Sequence, residues 1–169
     1  THVHKVEKLL GKTPLTILLS AQIAKNKGNE AATHALLEQL LGYKETEYLA
    51  ARSLSESASK NDNLPKALQL AKKALEMNPK DSSTALAVAS IQIRLKHWNE
   101  AIAAVGSMKK NPNAQPFARS MVQHLLKSIT HARDDILANE GAEFPYLNKN
   151  EKLDVLATME DRLRKEHDV

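Results

Sequence analysis

Small residues recur along this chain at a fixed step: Ala21, Ser55 and Ala89 lie 34 residues apart each time. A second set, Ala32, Ala67 and Ala101, follows at steps of 35 and 34. Small side chains at a constant period let two helices cross closely, and a period of a few tens of residues marks a supersecondary unit that stacks on copies of itself. Nearly every segment between turn signals carries apolar residues at three- and four-residue spacing, with few β-branched runs. That is the helical pattern. The expectation is an array of helix pairs rather than a generic bundle, with no strand required.

Turn chemistry divides the chain into helices expected near 3–10, 14–27, 30–41, 45–60, 64–77, 82–96, 98–109, 114–139 and 149–167. Thr13-Pro14 reads as a cap followed by proline at the first helical position. Gly28-Asn29 ends one helix and caps the next, Gly42 terminates another, and Asn63, Asp81 and Asn113 are placed to cap later ones. Grouped by the repeat, these form one domain over 1–169. It comprises a second helix of a truncated pair (1–13), three pairs (14–42, 45–79, 81–112), and a long helix plus a terminal helix (114–169).

A chain of 169 residues with 42% hydrophobic content buries enough surface for one core without covalent staples. The absence of cysteine excludes a disulfide framework, thiolate-bound zinc, iron–sulfur clusters and thiol catalysis. The net charge of +4 is not gathered into any block, which argues against nucleic acid as partner. No stretch approaches the roughly 18 apolar residues of a membrane span. Thr1-His2-Val3-His4 is neither an initiator sequence nor the start of a secretory signal, so the expectation is a piece of a longer array.

The second copy, Tyr48 to Pro79, holds Leu54, Ser55, Ala58, Ala67, Ala71, Ala74 and Pro79. The third holds Val88, Ala89, Trp98-Asn99-Glu100-Ala101, Val105, Met108 and Pro112. This pattern resembles the tetratricopeptide repeat, a helix pair of about 34 residues, in degenerate form. Ala51 and Ala85 replace a large residue of the first helix, and Leu36, Ala71 or Val105 an aromatic of the second. The resemblance implies an all-α, right-handed α-solenoid of about three degenerate pairs with a long helix and a C-terminal capping helix.

A longer run is more specific. Glu7-Lys8-Leu9-Leu10-Gly11-Lys12-Thr13-Pro14-Leu15-Thr16-Ile17-Leu18-Leu19, then Gly28-Asn29-Glu30-Ala31-Ala32, then Glu45-Thr46-Glu47-Tyr48-Leu49-Ala50-Ala51-Arg52, is similar to the HemY proteins of alphaproteobacteria over about residues 4–110. That resemblance implies an inner-membrane protein whose amino-terminal membrane anchor precedes a repeat domain on the cytoplasmic side. It also implies a link to late haem biosynthesis, with haem-pathway enzymes as protein partners. It supplies no catalytic residues. An unrelated flavin-dependent oxidase shares the name, but this chain has no Gly-x-Gly-x-x-Gly segment following a strand.

Stacked pairs turn their first helices toward a concave groove. By phase, the groove-facing positions are Leu15, Gln22, Lys25 and Asn26; then Leu49, Arg52, Glu56, Ser59 and Lys60; then Ser83, Leu86, Ser90, Ile93 and Arg94. Lys25, Arg52, Lys60 and Arg94 are suited to the carboxylates of an extended peptide, and Leu49, Leu86 and Ile93 to its apolar side chains. The groove then belongs to a non-catalytic protein-binding scaffold. The alternative is a haem or porphyrin carrier, with those apolar residues against the macrocycle and Arg52 or Arg94 on its propionates.

No metal or catalytic constellation emerges. His124 and His131 share a helix face but sit two turns, roughly 10.5 Å, apart, and no histidine pair has the spacing of a zinc helix. Asp134-Asp135 and Glu160-Asp161 are neighbours that diverge around a helix. Trp98 reads as core. Asn148 with Glu151 forms a capping box, and Leu153, Leu156, Met159 and Leu163 give the last helix one apolar stripe for packing on the long helix.

Overall fold

A computed structural model describes residues 2–139 and 143–167. Among them every regular element is helical: α1 (His2–Leu10), α2 (Pro14–Asn26), α3 (Glu30–Leu40), α4 (Glu47–Lys60), α5 (Leu64–Met77), α6 (Ser82–Arg94), α7 (Trp98–Lys110), α8 (Gln115–Asn139) and α9 (Lys149–His167). The chain is all-α, and no helix of the described residues is long and apolar enough to cross a membrane. The helices form two compact units, α1–α5 up to Pro79 and α6–α9 from Lys80. The division falls where the second predicted pair hands over to the third.

The 34-residue step is visible in backbone geometry as well as composition. Gly28, Asp62 and Lys96 are in the left-handed region, at φ 72°, 60° and 60°. After each, the next amide reaches back five residues: Asn29 N–H to Ala24 O, Asn63 N–H to Ala58 O and His97 N–H to Gln92 O, at 2.9, 2.8 and 2.9 Å. This is the same left-handed helix stop each time, satisfying carbonyls that the helix end leaves orphaned. The next helix then starts in the same register, with Thr33, Ala67 and Ala101 N–H donating to Asn29, Asn63 and His97 O. Thr33 is therefore the equivalent of Ala67 and Ala101, and the step is 34 throughout. Ala32, assigned from size alone, is one residue out of phase.

Side-chain burial follows that phase. Thr16, Ala50, Thr84 and Ala118 are all buried, as are Ala21, Ser55 and Ala89. Thr13 and Thr16 cap α2 reciprocally: Thr16 N–H donates to Thr13 Oγ1 at 3.3 Å and Thr13 N–H to Thr16 Oγ1 at 2.9 Å. Asn29, Asp81 and Asn148 accept the expected capping bonds from Ala32, Ser83 and Glu151 N–H. Two expected caps differ. The Asn63 side chain makes no capping bond, although its main-chain N–H serves the helix stop as that of Asn29 does. Asn113 turns its amide to Lys80 O at 3.1 Å.

In the first unit α2 packs on α3, α3 on α4 and α4 on α5, around Ile17, Ala21, Leu37, Leu40, Leu54 and Leu70. α2 and α4 make little direct contact, so both lean on α3 with a gap between them. In the second unit α8 packs on α6, α7 and α9. Its core joins Ile93, Trp98, Ile102 and Val105 to Val122, Leu125, Ile129 and Ile136, and these to Leu156, Met159 and Leu163. The predicted stripe of α9 is thus seated on the long helix. Trp98 is core, its indole N–H on Ser128 Oγ at 3.1 Å.

Candidate functional site

The gap between α2 and α4 is a cleft of about 410 Å³ with α3 as its third wall. Five of the groove positions read from phase meet there: Gln22 and Lys25 from α2, and Leu49, Glu56 and Lys60 from α4. Their convergence has a local cause. The left-handed stop at Gly28 folds α3 back along α2, and α3 then holds α4 at a distance. Four predicted positions of this unit, Leu15, Asn26, Arg52 and Ser59, are not on the lining. Asn26 is exposed and accepts a bond from Gln22 Nε2 at 3.1 Å. The exposed Arg52 guanidinium lies over the Tyr48 ring, 5.7 Å from its centre.

The cleft also contains residues that phase reasoning on first helices missed. Leu18, Ser53 and Ser57 come from the neighbouring stripe of α2 and α4, and Glu30, Thr33 and His34 from α3. Ser53 and Ser57 lie 34 residues after Leu19 and Ile23, so the signal was the polar replacement of two leucine-like positions at constant phase. The basic lean expected of the groove is not present in this cleft. Lys25 and Lys60 are matched by Glu30 and Glu56, and Lys60 Nζ is 3.1 Å from Glu56. Leu49, 43% exposed, gives it an apolar edge above Leu18, Leu37 and Leu54. What results is a mixed trough with hydroxyls on one wall.

The predicted positions of the second unit separate. Ile93 is 3% exposed and belongs to the core, so it is no open groove residue. It faces inward because α6 packs on both α7 and α8, which widens its buried arc. Leu86 and Ser90 are half-buried on α6 and are not part of the α2–α4 cleft. Arg94 is exposed at the end of α6 and lines a second cleft, of about 890 Å³, walled by α6, α8 and Arg164 of α9.

The histidines and carboxylates have ordinary surroundings. Among the described residues no three of His, Asp and Glu converge as metal ligands. Adjacent acids do diverge: Asp134 lines the second cleft while Asp135 lies 3.6 Å from His131. Glu160 bridges Arg133 and Arg164 at 2.7 and 3.2 Å, and Asp161 pairs with Lys165 at 3.0 Å. The Arg162 guanidinium, bonded to Glu166 Oε1 at 2.8 Å, holds that carboxyl below its usual range. No family model and no curated protein matches this chain.

Proposed function

We propose that the chain is a non-catalytic scaffold that grips a segment of another protein in the α2–α4 cleft. The observation that carries this reading is the meeting of Gln22, Lys25, Leu49, Glu56 and Lys60 on one lining. These residues were singled out only because a repeat would turn them the same way. An apolar edge, flanking charges of both signs and the hydroxyls of Ser53 and Ser57 suit a polypeptide, whose main chain needs hydrogen-bond partners and whose side chains need a trough. The recurrence of one helix stop at 28, 62 and 96 supports a tetratricopeptide-like solenoid as the architecture. The HemY-like run over 4–110 makes a membrane-associated enzyme of haem synthesis the partner to test first.

A photo-crosslinker at position 53 tests it. The expected result is a discrete captured polypeptide that disappears when Leu49→Glu is added. Diffuse labelling unaffected by that change would sink the reading. Titration with haem serves as the counter-test. A stoichiometric Soret shift abolished by Arg52→Ala with Arg94→Ala would replace the scaffold with a tetrapyrrole carrier.

A further inference from the structure

The net charge of +4 is unevenly placed along the chain. Residues 1–28 hold Lys5, Lys8, Lys12, Lys25 and Lys27 against Glu7 alone, and after Gly28 the 19 remaining basic residues balance 19 acidic ones. The excess therefore belongs to α1, α2 and the turns beside them. The same stretch leaves large apolar side chains in solvent, with Leu9, Leu15, Leu19 and Ile23 exposed by 83, 64, 43 and 36%. Leu15, Leu19 and Ile23 follow at steps of four on one helix, so they form a single stripe along α2. Exposed Lys12 and Lys27 stand just beyond its two ends, and exposed Lys8 lies in the last turn of α1.

The repeat tells which way this stripe faces. One step of 34 further on are Leu49, Ser53 and Ser57, and all three line the α2–α4 cleft from the α4 side. The stripe is thus the edge that a first helix turns toward a neighbouring first helix, on the side of α2 away from α4. α1 supplies the back wall. Val3, Leu37, Ala71 and Val105, again 34 apart, are all buried, so α1 is in second-helix phase and packs on α2 as α3 packs on α4. The outer edge of α2 is therefore a corner with the plan of the cleft, but with aliphatic residues where α4 has two hydroxyls. Such an edge closes on the apolar face of a helix laid along it.

We infer that this edge docks an amphipathic helix of a partner protein, with apolar residues at four-residue spacing and acidic residues at both ends. The stripe takes the apolar side chains, and Lys8, Lys12 and Lys27 take the carboxylates. α2 has no acidic residue of its own to oppose the match. A second copy of the chain would set one lysine-rich end against another. Nucleic acid would use the lysines but leave the aliphatic stripe in water. An anionic bilayer offers both chemistries, but it is flat, and a corner between two helices fits a rod. The site does not rest on the reading of the α2–α4 cleft.

The test uses the whole chain and a fluorescein-labelled, helix-forming peptide with leucine at every fourth position through its middle and glutamates at each end, followed by anisotropy. Binding is expected, with the peptide gaining helical circular dichroism in the complex. Leu15→Ser and Leu19→Ser should each weaken it about tenfold through lost apolar contact. Lys12→Gln with Lys27→Gln should weaken it about threefold and flatten its salt dependence. Both leucines are exposed, so these variants keep their fold, which a thermal melt of each verifies. Leu49→Glu, which tests the α2–α4 cleft, should leave this binding unchanged, so the two readings fail separately. The inference is overturned by no binding at low salt, by equal binding of a scrambled peptide of the same composition, or by indifference to both leucine changes. Self-association abolished by Leu19→Ser would overturn it in favour of a second copy. Vesicles of equimolar phosphatidylcholine and phosphatidylglycerol that capture the protein and displace the peptide would overturn it in favour of a lipid surface.

Discussion

Ser55 Oγ donates a 2.8 Å hydrogen bond to the main-chain carbonyl of Ala67, tying the middle of α4 to the first turn of α5. Both residues are buried, at 5% and 0% exposure, so the bond sits where the two helices come closest. Removing the hydroxyl in Ser55→Ala leaves that carbonyl without its side-chain partner and should cost about 1 kcal/mol. Ser55→Leu forces the helices apart and should cost more, about 2–3 kcal/mol. Urea denaturation followed by circular dichroism distinguishes the two. Equal, negligible losses would show that the crossing is not tight.

The three equivalent helix stops differ in how well their residues suit them. Glycine at 28 adopts positive φ freely, whereas Asp62 holds φ 60° with a side chain attached, a conformation costing an L-residue about 1 kcal/mol. Asp62→Gly should therefore stabilise the first unit by about 0.5–1 kcal/mol, net of whatever its carboxylate contributes. Gly28→Ala should destabilise it by about 1 kcal/mol. A Cβ at Gly28 meets nothing within 4 Å, so that loss is conformational rather than steric. Thermal melts of the two variants should move in opposite directions.

Element type and phase were legible in the sequence because each helix carries its own signals. The apolar spacing, Thr13-Pro14, Gly28-Asn29 and Asp81 all act within a few residues of themselves. Packing partners were not legible to the same degree. Ile93 looked groove-facing because phase treats every first helix alike, yet α6 packs on both α7 and α8. Ala32 looked equivalent to Ala67 because size was compared without hydrogen bonding, which places Thr33 there. The α2–α4 cleft needed both helices to lean on α3, a distance that no local pattern encodes.

Gln92 is a place where the repeat carries a misfit. It follows Ala24 and Ala58 by the same 34-residue step, is 4% exposed, and its Oε1 is buried with no partner among the described residues. A buried carbonyl left unbonded costs about 1–3 kcal/mol. Gln92→Met keeps the volume and removes the polar atom, so it should raise the stability of the second unit by about 1 kcal/mol. Gln92→Ala should lower it by opening a cavity. Denaturation followed by Trp98 fluorescence reads this unit alone, since it holds the chain's one tryptophan.

Acid should loosen the turn after α8 through one contact. Burial pushes the Glu143 carboxyl up, but the Lys96 ammonium bonded to it and its own main-chain N–H together hold it below the usual glutamate value of 4.5. A carboxylate depressed in the folded state stabilises fully above its unfolded value, and loses that contribution as pH falls through the lower folded one. Lys96 is half exposed, so the contribution is small, about 1 kcal/mol or less. It is nevertheless locally readable. Phe144 follows Glu143 in the chain and lies 6.0 Å from the Trp98 ring. Trp98 emission should be flat from neutral pH down to the ordinary carboxylate range and shift below it. In Glu143→Gln the shift should already be present at pH 7, with no further acid step. A variant that retained the wild-type titration would assign the step to another carboxylate.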